Sequence, residues 1–158
     1  MKKTLIHVVS IVLFLFLLVA ASSNPTGVEV GSQAPNIEIS NANSKMSLQQ
    51  ARGKYVIVTF WSSVDAQSRL ANRAHDRAAK ANSHLQHLAV NFDKSKSVWS
   101  EILKLDELSS NSQFYGVGKT GDSLLESWKQ EDGFTSYLID PQGVIVAVNP
   151  SEEMLYKI

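Results

Sequence analysis

Apolar and polar positions along the chain fall into blocks with distinct periods. Residues 5–21 are almost wholly apolar, broken only by His7 and Ser10, and residues 22–27 are small and turn-forming. Residues 28–39 carry Gly31, Pro35 and the short alternation Ile37, Ile39, which predicts an N-terminal strand or hairpin arm. Residues 41–47 read as a polar turn, and residues 48–52 as one helical turn stopped by Gly53. The run Tyr55-Val56-Ile57-Val58-Thr59-Phe60-Trp61 is continuously β-branched or aromatic, the pattern of a strand buried on both faces, and Ser62 and Ser63 break it.

A helix is expected over residues 65–82, with Leu70, Ala71, Ala74, Ala78 and Ala81 along its inward side and Leu85 beyond. Residues 88–92 predict a second buried strand. Amphipathic helices follow at 98–108, through Val98, Ile102, Leu105 and Leu108, and at 122–129, with Phe114-Tyr115 as a short strand between them. Two strands, 135–139 and 144–148, flank Asp140-Pro141-Gln142-Gly143, a turn signal with proline at its second position. Residues 151–157 close the chain as a short helix, with Ser151 as N-cap and Glu152 and Glu153 in its first turn. Early strand–helix–strand alternation implies parallel pairing, and the tight turn at 140–143 implies an antiparallel pair. The fold class is therefore α/β, a mixed central sheet flanked by helices.

Composition changes this picture in three places. At 158 residues, 44% hydrophobic and 19% charged, the chain supports one domain with a real core and carries too little charge for disorder. A basic start, an apolar run and the small residues Val19-Ala20-Ala21 make residues 1–21 a secretory signal, or alternatively an uncleaved anchor at the lower length limit for spanning a bilayer. Residues 22–27 are then a tether and 28–158 the domain. Export to the periplasm or beyond is expected, with inner-membrane attachment through residues 5–21 as the variant reading.

The 15 basic and 15 acidic residues balance, but losing Lys2 and Lys3 with the leader leaves 13 against 15, a net charge of −2. Nucleic acid is not expected as a partner. The chain has no cysteine. Thiol nucleophiles, disulfides, cysteine-ligated metals and a lipid anchor on cysteine are all excluded together.

Four segments, in order, resemble one family. Val30-Gly31-Ser32-Gln33-Ala34-Pro35 is similar to the G-x-x-A-P opening of TlpA/ResA-type thioredoxin-like proteins and their AhpC/TSA-type peroxiredoxin relatives. Residues 47–54 resemble their L-x-x-x-R-G-K segment, Val56 to Trp61 their strand ending in Phe-Trp, and Tyr137 to Gly143 their F-L-I-D-P-x-G hairpin. The resemblance spans residues 28–158 and implies a thioredoxin-like fold with an N-terminal β arm. It also implies thiol–disulfide oxidoreductase activity.

The family's two cysteines would stand just after the Phe-Trp strand. Aligning Trp61 and Arg69 puts Asp65 at the attacking position and Ser68 at the resolving one, while the family's cis-proline falls on Phe134. Thiol–disulfide exchange needs a thiolate attacking sulfur, which neither a carboxylate nor a hydroxyl can replace. Asp65 reads as an N-cap, with a functional carboxylate as the alternative; Ser68 reads as a tolerated small polar residue. The Gly133–Phe134 bond is expected trans. Phe134 either joins the core or offers an apolar contact to a partner. The expected function is a non-catalytic module binding a protein or peptide of the cell envelope at a rim of Trp61, Ser62, Asp65, Phe134 and Thr135, with no catalytic residue, cofactor or metal.

Other constellations carry less. Gly116-Val117-Gly118-Lys119-Thr120 looks like the end of a phosphate-binding loop, but Gln113 stands where such a loop needs glycine, so a surface turn is expected. His75, His84 and His87 read as surface or rim histidines rather than metal ligands. Arg69, Arg73, Arg77 and Lys80 form a basic helix stripe, with Asp76 able to pair with Arg73 or Lys80; a solvated face is expected, and a docking patch for an acidic partner or lipid headgroups is the alternative.

Overall fold

The computed structural model describes residues 26–130 and 132–158. The leader assigned to residues 1–21, and all of the tether but Thr26 and Gly27, lie outside the described residues. Among the described residues seven strands and four helices follow in the order β1 (Glu38–Ser40), β2 (Lys45–Ser47), β3 (Tyr55–Trp61), α1 (Ala66–Ala81), β4 (Leu85–Asn91), α2 (Lys96–Leu105), β5 (Gln113–Tyr115), α3 (Lys119–Ser127), β6 (Ser136–Ile139), β7 (Ile145–Val148) and α4 (Glu152–Leu155). Among the described residues no helix is long and apolar enough to cross a membrane.

The central sheet has the strand order β5-β4-β3-β6-β7. β3 pairs in parallel with β4 from Tyr55↔Leu85 to Trp61↔Asn91, β4 pairs in parallel with β5, and β3–β6 and β6–β7 are antiparallel. The tight turn works as its sequence implies. Asp140 Oδ1 accepts from the N–H groups of Gln142 and Val144 at 2.9 and 2.8 Å, and Gly143 takes φ +79°, a region that costs glycine little.

The N-terminal arm pairs at two places. β1 and β2 form a separate antiparallel hairpin, and the Gly31 and Ile145 N–H groups donate to the carbonyls of Ile145 and Ser32 at 2.8 and 2.9 Å, along the outer edge of β7. The second hairpin strand lies within the stretch expected to be a polar turn. Asn41 explains the difference: its Oδ1 accepts from the N–H groups of Asn43 and Ser44, both at 2.7 Å, compressing the turn to a few residues. Residues 48–53 form hydrogen-bonded turns, the Ala51 N–H donating to the Ser47 carbonyl at 3.1 Å as in one turn of helix, and Gly53, at φ +89°, follows it and donates to the Pro141 carbonyl at 3.0 Å.

β3 sorts its side chains by parity. Val56, Val58 and Phe60 join one core with Leu88, Val90, Phe114, Trp128, Tyr137 and Ile139. Toward the helices on the other face, Ile57 meets Ala78, Leu138 and Leu155, while Trp61 packs with Ala89 and Trp99. Thr59, between Ile57 and Trp61, is fully buried and polar.

The inward face of α1 differs from the expected one. Ser68, Asn72, His75, Asp76 and Ala78 are buried, whereas Leu70 is 63% exposed and Ala81 is exposed. The spacing i, i+4, i+7, i+8 is helical, but the residues on it are polar. They are buried because the sheet offers partners: Asn72 and Gln113 exchange amide hydrogen bonds at 3.2 and 3.1 Å, and His75 meets Thr59 at 2.8 Å. The other predicted helices and strands form with ends shifted by a few residues, the largest being the earlier starts of β4 at Leu85 and α3 at Lys119 and the earlier end of α2 at Leu105.

Candidate functional site

β3 ends at the fully buried Trp61 and α1 begins at Ala66, so residues 62–65 make the turn at the carboxyl end of the central strand. Ligand clefts of open α/β sheets form at that end, where loops rise above parallel strands. Asp65 caps α1 as expected: its backbone is extended (φ −98°, ψ 106°) and Oδ1 accepts from the Ser68 N–H at 2.7 Å. Hydrogen bonds from Ser68 hold the Asp65 carboxyl below its usual value. Ser68 is buried; its hydroxyl donates to the Asp65 carbonyl and accepts from the Ser62 N–H, each at 3.3 Å. Asp65 and Ser68, the two residues expected at the family's cysteine positions, thus form one closed hydrogen-bonded turn, one exposed and one buried.

The expected rim changes composition. Trp61 has no exposed surface and belongs to the core under α2, because the parity of β3 turns its ring inward. Ser62 is only 4% exposed, and its hydroxyl donates to Asp93 Oδ1 at 2.6 Å. Trp61 offers no surface to a partner, and Ser62 only a small edge. Phe134 is half-buried and stacks on Phe92, with ring centroids 5.9 Å apart and planes at 15°. Thr135 is half-buried and donates its N–H to Gln130 Oε1 at 2.7 Å. Every peptide bond among the described residues is trans, Gly133–Phe134 included.

The second wall comes from the end of β4, which sequence reasoning left out. Asp93 Oδ1 also accepts from the Ser63 N–H at 2.7 Å, and the Tyr115 hydroxyl donates to the Asp93 carbonyl at 2.8 Å. A cleft of about 390 Å³, mostly apolar, opens among Ser62, Ser63, Val64, Phe92, Asp93, Lys94, Ser95 and Val98. Val64 stands 91% exposed at its mouth. The signal for this wall was present: β4 runs parallel beside β3, so Phe92 and Asp93 must emerge next to Ser62.

The cleft holds one buried carboxylate, serine hydroxyls, the Lys94 amine and apolar surface, and no sulfur. Dithiol exchange and thiol peroxidase chemistry are absent by element.

Outside the cleft, the histidines divide. His75 and His87 are 2% and 5% exposed, not surface residues, while His84 is exposed. The two buried rings both contact Thr59, through His75 Nδ1 and His87 Nε2. Burial drives His75 down to about 3, helped by the neighbouring His87 and opposed by the Pro150 backbone. Burial also lowers His87, against the pull of Asp76.

The basic stripe is mostly tied down. Arg69 binds Asp106 through two hydrogen bonds of 2.7 Å, Arg77 pairs with Glu152 at 3.1 Å and Lys80 with Asp76 at 2.7 Å, as one of the expected pairings has it. Of the stripe only Arg73 has no carboxylate within 4 Å among the described residues. In the 116–120 segment, Gly118 precedes α3 and Lys119 and Thr120 already belong to that helix, so only Gly116 to Gly118 remain a turn. A Cβ on the buried Gly121 would overlap the Gly116 carbonyl oxygen.

No family model matches the sequence, and no curated protein matches it. Solved structures do. A thioredoxin-like protein from Parabacteroides distasonis is 30% identical with a TM-score of 0.70, covering 84% of this chain and 95% of that one. The thioredoxin domain of a thiol-disulfide oxidoreductase from Bacteroides vulgatus is 26% identical (TM-score 0.71; 83% and 95% covered). A thiol:disulfide interchange protein from Bacteroides sp. is 27% identical (TM-score 0.66; 86% and 88% covered). The chain belongs to the thioredoxin-like family, its solved neighbours include thiol-disulfide oxidoreductases, and it carries no cysteine.

Proposed function

We propose that this protein is an exported binding module that keeps the thioredoxin-like scaffold without its redox chemistry. The observation that carries the reading is the turn after β3. A carboxylate closes the helix N-terminus there, and a mostly apolar cleft stands open beside it. The cleft suits an extended peptide or protein segment of the cell envelope that lays an aliphatic side chain between Val64 and Val98, with Phe134 and Phe92 as an aromatic flank. Asp65 borders the site as a cap. Export rests on the basic–apolar–small leader at residues 1–21.

Two measurements test the reading. The purified domain is expected to reduce neither insulin disulfides nor a dithiol reagent, and any catalysed turnover overturns it. A photo-crosslinking residue placed at Val64 is expected to capture a discrete envelope protein in vivo. The same residue at Tyr156, which is 50% exposed and follows α4, is expected to capture none. Equal labelling from both positions would count against a site at the cleft.

A further inference from the structure

The loop that carries Phe134 holds the one place in the chain where glycine follows aspartate, Asp132-Gly133. Both residues are exposed. Among the described residues the Gly133 N–H donates to no acceptor, and the Asp132 carboxylate pairs with no cation. Gly133 takes φ +129°, a conformation that residues with side chains rarely adopt. Beyond its chain neighbours no atom lies within 4 Å of where its Cβ would stand, so the space around it is open. The ends of the loop, by contrast, are fixed. Gln130 is 4% exposed, its N–H donates to the Leu125 carbonyl at 2.9 Å, and its side chain donates to the Trp128 carbonyl at 2.6 Å. The Thr135 N–H donates to Gln130 Oε1 at 2.7 Å, and β6 begins at Ser136.

A peptide nitrogen with no hydrogen bond to break and no side chain beside it can attack the carboxyl group of the aspartate before it. The Asp132 carboxylate first takes a proton from water. Gly133 N then bonds to Asp132 Cγ, the N–H hydrogen and the carboxyl hydroxyl leave as water, and a five-membered succinimide closes. Water next adds to the Asp132 main-chain carbonyl and breaks its bond to Gly133 N. The chain now runs through Cγ, and the main-chain carboxylate hangs free. One water is lost and one regained, so mass is unchanged and no electron moves. The other aspartates are held from this path. Asp140 precedes Pro141, whose nitrogen has no hydrogen to lose. Asp93 is 5% exposed, and Asp65, Asp76, Asp106 and Asp122 stand in helices or cap them.

We propose that Asp132 is a site of spontaneous conversion to isoaspartate, and that the conversion moves Phe134 off Phe92. The rearranged link adds one carbon, a bond of about 1.5 Å, to a main chain held at Gln130 and Thr135. Between those anchors Phe134 follows Gly133 directly, and it is the half-buried residue whose ring stacks on Phe92 at 5.9 Å. Such a stack has little to hold it against a shift of the backbone beneath it. Phe92 in turn lines the cleft beside Asp65, so the conversion reaches the cleft wall. No enzyme or cofactor is needed, and the extent of conversion records the age of the molecule. The chemistry at Asp132 does not depend on what the cleft binds.

The test is to hold the intact domain at pH 7.4 and 37 °C for several weeks and map its peptides by electron-transfer mass spectrometry, which tells the two isomers of equal mass apart. Isoaspartate is expected first at residue 132, at a rate within tenfold of that in a free peptide of residues 128–137. A rate more than tenfold below that of the peptide, or earlier conversion at another aspartate, overturns the site. NMR contacts between the Phe134 and Phe92 rings are expected to fade in step with the conversion. Asp132→Glu keeps the charge but cannot close the five-membered ring, and the same contacts are expected to persist in that variant aged alongside. Contacts that survive full conversion, or that fade equally in the variant, overturn the link to Phe134.

Discussion

The side-chain amides of Asn72 and Gln113 bind each other reciprocally, Nδ2 to Oε1 at 3.2 Å and Nε2 to Oδ1 at 3.1 Å, with both residues fully buried. This pair fixes the middle of α1 to the short edge strand β5. Removing one partner strands the other without water. Asn72→Ala is expected to lower stability by about 1–3 kcal/mol in urea denaturation. A combined Asn72→Leu and Gln113→Met change is expected to recover much of that loss, because no amide is then left unpaired. A single variant within a few tenths of a kcal/mol of wild type would show that the pair is not holding the helix.

Asp65→Ala removes the side-chain acceptor at the start of α1 and is expected to cost about 1 kcal/mol. Asp65→Ser and Asp65→Asn are expected to retain most of it, since both can accept from the Ser68 N–H. An equal loss in all three would mean that the charge, not the cap geometry, stabilises the turn.

Stability is expected to fall in acid from the lower edge of neutrality. The folded-state values of His75, near 3, and of His87 lie below the ordinary 6.5, so the unfolded chain binds more protons in this window. Stability is thus complete above about pH 6.5 and declines as the pH falls toward the folded values, by up to about 1.4 kcal/mol per pH unit for each proton of difference. Asp76 adds to the decline at lower pH. Burial alone would raise it, but His87 and Lys80 beside it hold it well below the carboxylate range, so its contribution is lost as the pH falls below about 3.8. Urea midpoints at pH 7.5, 5.5 and 4.5 measure this, and a flat profile would remove the neutral buried pair.

Restoring the thiols tests how much of the family's groove survives. Asp65→Cys with Ser68→Cys and Phe134→Pro is expected to give measurable insulin disulfide reduction, and either cysteine alone none. A folded triple variant that forms the 65–68 disulfide without turnover would place the divergence in the cleft walls, where Phe92 and Asp93 stand.

The central strand, the aspartate–proline–glycine turn and the cap on α1 were legible because local chemistry decides each of them. β-branched runs make strands, proline and glycine fix turns, and an aspartate before a helix finds its amides. The inward face of α1 was not legible. Hydrophobic periodicity singles out Leu70 and Ala81, and the helix buries Asn72, His75 and Asp76 because Gln113, Thr59 and His87 wait on distant strands. Trp61 misled for a related reason. Its place beside the motif suggested a rim, while strand parity, which only the assembled sheet reveals, turned it toward Trp99. The wall formed by Phe92 and Asp93 needed the parallel register of β3 and β4 before it could be seen.

The Asp65 cap has one more consequence. A cysteine at a helix start exists as thiol, thiolate or disulfide, and the helix beneath it is held differently in each. A carboxylate has no such states. With Asp65 accepting from Ser68 and no cysteine in the chain, no thiol–disulfide exchange couples the stability of this domain to the reduction potential around it. The cleft beside the cap therefore has no dithiol–disulfide switch to change its shape.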